Sequence, residues 1–258
     1  MISKFPIAFF VFTFFGLWLS VVIGAFIRKR RIPLNDDQRA DFSVSLGAVL
    51  TLLGLIIGFS FSMAINRYDQ RKIYEEAEAN AIGTELVRTE LLPADDDAKA
   101  RELLKRYLKL RIAFYETRDR TLLEQINRET TRLQKEMWLA VRVDTAAHPN
   151  AALVLVASGM NDVLNSQGYT QASWWNRIPV AAWCLMGVIA IFSCVLIGNG
   201  ARSSTIILAP VLPLVIAIAL FLIADLDSPR GGLIRVHPQN LLTLSTSMDG
   251  SDVNHRTR

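Results

Sequence analysis

Four uncharged apolar blocks constrain this chain more than any other feature. The first, Phe5 to Ile27, reads FPIAFFVFTFFGLWLSVVIGAFI. As a helix it reaches roughly 34 Å, enough for a hydrocarbon core of about 30 Å. The second is Phe42 to Ile65, the third Ile178 to Ile197 and the fourth Thr205 to Ala224. Each satisfies its backbone internally as a helix, which is what a lipid environment demands. A cleaved leader competes for the first block, but leader cores run about 7–15 residues and this one is longer. It ends in Arg28-Lys29-Arg30-Arg31 and is expected to stay. With 51% hydrophobic residues and 13 Phe, disorder is excluded for most of the chain. A net charge of +4 raises nucleic acid as a partner, but residues 66–177 hold 17 Lys/Arg against 17 Asp/Glu and are neutral. The partners expected are a lipid bilayer and ions, with no nucleic acid.

The expected organisation is all-α: spans one and two over 1–65, a soluble helical domain over 66–177, spans three and four over 178–224, and a C-terminal tail over 225–258. Four spans put both termini and the domain on one side. Charge bias does not orient them, because the short loop 28–41 carries five Lys/Arg and the opposite face is also basic near its span ends. Nothing between Ile65 and Tyr68 stops a helix, so the second span is expected to run on to about Leu92. Pro93 and Asp95-Asp96-Asp97 mark a turn and an acidic helix start. Leu103, Leu104, Tyr107, Leu108, Leu110, Ile112, Phe114 and Tyr115, then Leu122, Leu123, Ile126, Leu133, Met137, Trp138 and Val141, recur at helical spacing. A short helix is expected over 151–165, ending before Gly168. Trp174, Trp175 and Trp183 suit a headgroup zone, and Pro210 and Pro213 predict a kink in the fourth span.

Chemistry is sparse. His148, His237 and His255 are far apart, Cys184 and Cys194 sit in one span, and no phosphate loop or nucleophile motif is present. No metal site, cofactor or enzyme is expected. The second span is richer: Gly47, Thr51, Gly54, Gly58 and Phe61 recur every three or four residues. Such a face either packs helices closely or rings a pore, with Leu53, Ile57 and Phe61 as an apolar neck that gates by dewetting. Asp225, Asp227 and Arg230 at the end of the fourth span are either a capped turn or a cation site, and calcium wants six to eight oxygens. Asn80, Gly83 and Thr84 share a face suited to contact between helices.

Two stretches carry a family resemblance. LLGLIIGFSFSMAINRYDQRKIYEEAEANAIGTELVRTELLP, Leu52 to Pro93, resembles the first hallmark of the bestrophin-like family, and DLDSPRGG, Asp225 to Gly232, with LIRV after it, resembles the second. Bestrophins proper are pentameric anion channels with four spans, a cytoplasmic helical domain between spans two and three, and an apolar neck on span two. The resemblance therefore implies a homo-oligomeric, anion-conducting passive channel in a bacterial inner membrane. It puts the neck within Ile57 to Ile65, with Phe61 as the ring residue. Bestrophin calcium sites use more acidic residues than Asp225 and Asp227, and bacterial relatives include cation conductors. The competing reading is a membrane-anchored structural or sensory protein whose helical domain binds a partner.

Overall fold

The structure, a computed structural model, describes residues 6–30, 35–147, 150–200 and 210–256. All regular elements among them are helical: α1 (Pro6–Lys29), α2 (Asp36–Arg88), a 3-10 turn (Thr89–Leu91), α3 (Ala94–Glu116), α4 (Arg120–Ala147), α5 (Ala151–Trp175), α6 (Val180–Gly200), α7 (Val211–Asp227) and α8 (Gln239–Arg256). They fall into two compact units. The first takes Met1–Tyr68 and Arg177–Arg235, the second Asp69–Asn176 and Val236–Arg258. The tail divides between them, so α8 belongs with the soluble helices.

Three helical stretches, Ile7–Lys29, Asp37–Leu91 and Ala151–Gly200, are long and apolar enough to cross a membrane. In the third, the apolar part is α6. α7 is apolar from Val211 to Ala224 but 17 residues long in all, and 201–209 before it, including Thr205 to Ala209 of the expected fourth span, lie outside the described residues.

Helix boundaries follow the chain's stop signals. α2 runs unbroken from Asp36 to Arg88, and Pro93 ends the 3-10 turn after it. Asp95, Asp96 and Asp97 occupy the first turn of α3, where the unpaired N–H groups favour negative charge. One expectation fails. α5 continues through Gly168 to Trp175, because one exposed glycine costs about 1 kcal/mol, too little to stop a helix held by packing. In the expected fourth span, Pro210 is a turn residue just before α7 and Pro213 lies in the first turn of that helix, where a missing N–H breaks no bond.

The first unit centres on Leu17, Val21, Leu53, Ala64, Met186, Ala190, Cys194, Ile216, Leu220 and Ile223. Here α1 and α6 meet backbone to backbone. A Cβ on Gly24 would overlap the Val195 carbonyl oxygen, and one on Gly198 would overlap that of Val21. Buried hydroxyls turn back on their own helix, Ser20 to the Gly16 carbonyl and Ser193 to that of Ile189.

The second unit packs Leu103, Leu104, Tyr107, Leu108 and Phe114 of α3 with Leu133, Met137 and Val141 of α4 and Val156, Met160 and Val163 of α5. Ile82 and Leu86 of α2 and Leu241 of α8 are buried in this unit too. Trp174 corrects another expectation: it is 4% exposed, with Phe114 and Tyr115 rings at 5.0 and 5.4 Å. Trp175, beside it, is exposed.

Candidate functional site

On the part of α2 in the first unit, the two faces differ. Leu53 is 3% exposed and sits in the core of its own chain, while Ile57 and Phe61, half-buried, lean on the same cluster. Of the expected neck residues, Leu53 is thus enclosed by its own chain, while Ile57 and Phe61 are partly covered by it and partly open. Facing away are Leu52, Leu55, Phe59 and Met63, with Leu55 and Phe59 at 54% and 64% exposure. Gly47, Gly54 and Gly58 are also open, with nothing within 4 Å of where a Cβ would stand. Gly47, Gly54 and Gly58 thus pack against nothing among the described residues of their own chain. From Leu55 and Phe59 the exposed register continues through Ser62 to Asn66, so the stripe changes from apolar to polar within three turns.

The Asp-Leu-Asp segment is a clamp. Asp225 accepts from the backbone N–H of Leu233 at 2.6 Å with one oxygen and of Ile234 at 2.8 Å with the other. Asp227 accepts from the N–H of Ile178 at 3.0 Å, just before α6. The Ser228 hydroxyl accepts from Gly231 N–H, and a Cβ on Gly232 would crowd the Asp225 carbonyl. Both carboxylates are committed to backbone donors, which fold the chain back after α7. Of the two readings of the sequence, the geometry has the form of the capped turn. Arg230 is half-exposed. Among the described residues no group of three or more His, Cys, Asp or Glu is placed to hold a metal ion.

In the second unit, Asn80, Gly83 and Thr84 come together on one face of α2. With Asn240, Thr243, Leu244 and Ser247 of α8 they line an open groove of about 470 Å³. Leu244 lies against Gly83, at 3.3 Å from a Cβ position there.

The opposite face of this α2 segment is the chemically dense one. Arg71, Glu75, Glu78, Ile82, Glu85 and Thr89 share it, and all six are at most 2% exposed. The Glu75 carboxylate accepts from the Leu241 N–H at 3.0 Å and the Asn240 side-chain amide at 2.6 Å, satisfying the start of α8. Glu78 is paired with Arg111 of α3 at 2.5 Å and also accepts from the hydroxyls of Tyr115 and Thr170. Burial is the largest influence on Arg111 and works against its charge, but Glu78, through charge and hydrogen bond, acts together with the Tyr107 and Tyr115 phenols to raise the guanidinium pKa. Burial, reinforced by Glu78, pushes the Tyr107 and Tyr115 phenols up as well. The Arg111 guanidinium lies 4.3 Å over the Phe114 ring.

None of these buried ions was singled out from the sequence, yet a signal existed. Glu75, Glu78 and Glu85 stand at i, i+3 and i+10, in register with Ile82. Carboxylates repeating on an apolar register must find partners inside the fold.

The Bestrophin-like domain model matches residues 8–241. Solved structures with the same fold include a bacterial bestrophin homologue from Klebsiella pneumoniae, with a TM-score of 0.63 at 18% identity, covering 90% of this chain and 98% of that one. A mutant of the Klebsiella homologue gives a TM-score of 0.65 at 15% identity, covering 92% and 98%. A structure described as a membrane protein variant gives 0.64 at 16% identity, also covering 92% and 98%. No curated protein sequence matches the chain. The long spanning helices, the helical insert and the domain match over 8–241 agree: this chain belongs to the bestrophin-like family.

Proposed function

We propose that copies of this chain assemble around their α2 helices into a passive ion channel in a bacterial inner membrane. The observation that carries this is the open face of α2. Leu55 and Phe59 project from an apolar helix away from the core of their own chain, beside glycines with nothing packed on them. A symmetric ring buries such a face against copies of itself, and apolar side chains at its axis make a constriction that dewets. The neck is thus read on Leu55 and Phe59, one stripe over from Leu53, Ile57 and Phe61, which serve the subunit core. Gly54 and Gly58 flank it and permit neighbouring helices to approach.

The family supports five subunits, anion conduction, α7 as a fourth span and a cytoplasmic helical unit. Asn80 and Thr84, exposed on the same helix, are neutral hydrogen-bonding groups suited to a passing hydrated ion. Asp225 and Asp227 hold the end of α7 in this reading and need no calcium. No catalytic set is assembled among the described residues, and the reading is not that of an enzyme.

The test is imaging of nanodisc-purified protein, followed by bilayer conductance of variants. A closed ring with α2 at its axis is expected, with Phe59→Ala and Leu55→Ala raising leak current and Leu53→Ala lowering stability instead. A monomer or dimer without an axial opening overturns the channel. A ring in which Phe59→Ala leaves the current unchanged overturns the neck.

A further inference from the structure

Glu85 differs from its two buried neighbours on α2. Glu75 and Glu78 each have donors for their oxygens, whereas neither oxygen of Glu85 has a hydrogen-bond partner among the described residues, although the side chain is fully enclosed. It is seated in a notch on α5. A Cβ on Gly159 would overlap Glu85 Oε2 and Arg88 Nη1, so the glycine leaves the space that both side-chain ends occupy. Arg88, one turn along α2, reaches across to Asp162 of α5 with 3.9 Å between Nη1 and Oδ2. The arrangement is one cation between two carboxylates: Asp162 at the surface on α5, and Glu85 enclosed beneath it.

We propose that Glu85, Arg88 and Asp162 form a proton-responsive fastening between α2 and α5. With Glu85 neutral, Arg88 is free to pair across the helices with Asp162, and the carboxyl group fills the Gly159 notch as an uncharged body. When Glu85 gives its proton to water, the enclosed carboxylate has Arg88 as its nearby cation. Arg88, which already stands beside Glu85 in the Gly159 notch, is then drawn to it and away from Asp162, and the charged group favours an opened contact where water reaches it. The same three groups set its proton affinity. Burial is the largest influence and pushes Glu85 up to about 8, Arg88 pulls it down and Asp162 pushes it up. The elements at the end of α2 add no competing charge: Arg101 of α3 is paired with Glu90 of the 3-10 turn and Asp97.

The sign of the effect follows from linkage. A closed contact that holds a proton which the opened contact gives up is weakened as pH rises. From an ordinary carboxylate value near 4.5 up to about 8, opening should grow by close to tenfold per pH unit and then level off. The fastening is complete below that window and lost through it.

Hydrogen exchange of the full chain in nanodiscs tests this without requiring that it conduct. Protection of amides over 84–89 and 154–163 is measured between pH 5 and 9, corrected for the intrinsic rate. The wild type should lose protection up to about pH 8, and Glu85→Gln, which cannot ionise, should be flat. Asp162→Asn should bring the plateau to lower pH and Arg88→Gln should move it higher; these opposed shifts keep the test decisive if Glu85→Gln fails to fold. Unchanged protection in the wild type overturns the proposal. So does a Glu85→Gln profile that keeps the wild-type slope, or Asp162 and Arg88 variants that shift the same way.

Discussion

The two units bury polar groups differently. In the first, the side chains at the centre are apolar, the enclosed Ser20 and Ser193 hydroxyls bond to carbonyls of their own helices, the buried Asp225 and Asp227 carboxylates at the end of α7 accept from backbone N–H groups, and closeness comes from Gly24 and Gly198 bringing backbones together. In the second, two guanidiniums, those of Arg71 and Arg111, and three carboxylates lie in the interior, on and around the lower half of α2. A helix bundle in lipid gains little by segregating apolar side chains, because its surroundings are equally apolar, so tight contact is what remains. A bundle in water gains from segregation and tolerates an internal ion where geometry satisfies it. α2 takes part in both regimes, which is why its overall pattern fits neither an amphipathic nor a wholly apolar helix.

The sharpest way to break this contrast is to leave one ion of the second unit alone. Glu78→Ala strips Arg111 of its partner and removes the acceptor used by Tyr115 and Thr170. A loss of about 3–5 kcal/mol is expected, read by chemical unfolding in detergent. Replacing both partners, Glu78→Met with Arg111→Met, should recover most of that loss. If the single variant is neutral, the pair is not what organises this core.

In the first unit the corresponding weak point is a glycine. Gly198→Ala sets a methyl group against the Val21 carbonyl and should cost about 1–3 kcal/mol as α1 and α6 separate. Gly54→Ala and Gly58→Ala meet nothing in the same chain and should leave the isolated subunit at least as stable, since alanine favours helix by about 1 kcal/mol. Thermal unfolding against oligomer yield separates the two sites. Loss of assembly at Gly54 or Gly58 with an intact subunit would show that a second copy packs there.

A smaller effect is expected where the second unit holds its last helix. Glu75→Ala removes both acceptors at the start of α8 and should cost about 0.5–2 kcal/mol, the range of a lost helix cap. Limited proteolysis should show faster cleavage within 239–248 while α3 to α5 stay protected. Equal loosening of all the helices would mean that α8 is integral to the core and not docked on it.

Much of the architecture was legible because each signal was local. Uncharged runs marked three of the spanning stretches, Pro93 and the three aspartates marked the start of α3, and the apolar register of α3 and α4 named core residues such as Leu104 and Met137, although Leu122 and Trp138 of that register are exposed. Readings failed where tertiary packing decided the outcome. Gly168 reads as a stop but is carried within a packed helix, and Trp174 reads as an interfacial anchor but closes an aromatic cluster. On α2 the periodicity identified helical stripes and left open which stripe faces the subunit core. Leu53 and Leu55 are chemically identical, so only the positions of α1, α6 and α7 distinguish them. The buried glutamates were missed for a related reason, since the groups that satisfy Glu78 and Glu75 lie far along the chain, Arg111 33 residues from Glu78 and Leu241 166 from Glu75.

The contrast between the units predicts least at the surface of the second. Arg132 and Glu136 are one turn apart on α4, with their side chains 3.0 Å apart at 70% and 36% exposure. Water screens the pair and ordering two long side chains offsets much of the attraction, so Arg132→Ala should cost no more than about 0.5 kcal/mol. That small cost should shrink further as salt is added, whereas the loss from Glu78→Ala should barely respond, because enclosed charges are poorly screened. Unfolding both variants at low and high ionic strength makes the comparison directly. A salt response of equal size in the two would mean that water reaches Glu78 and Arg111, and that the interior of the second unit is far wetter than its packing implies.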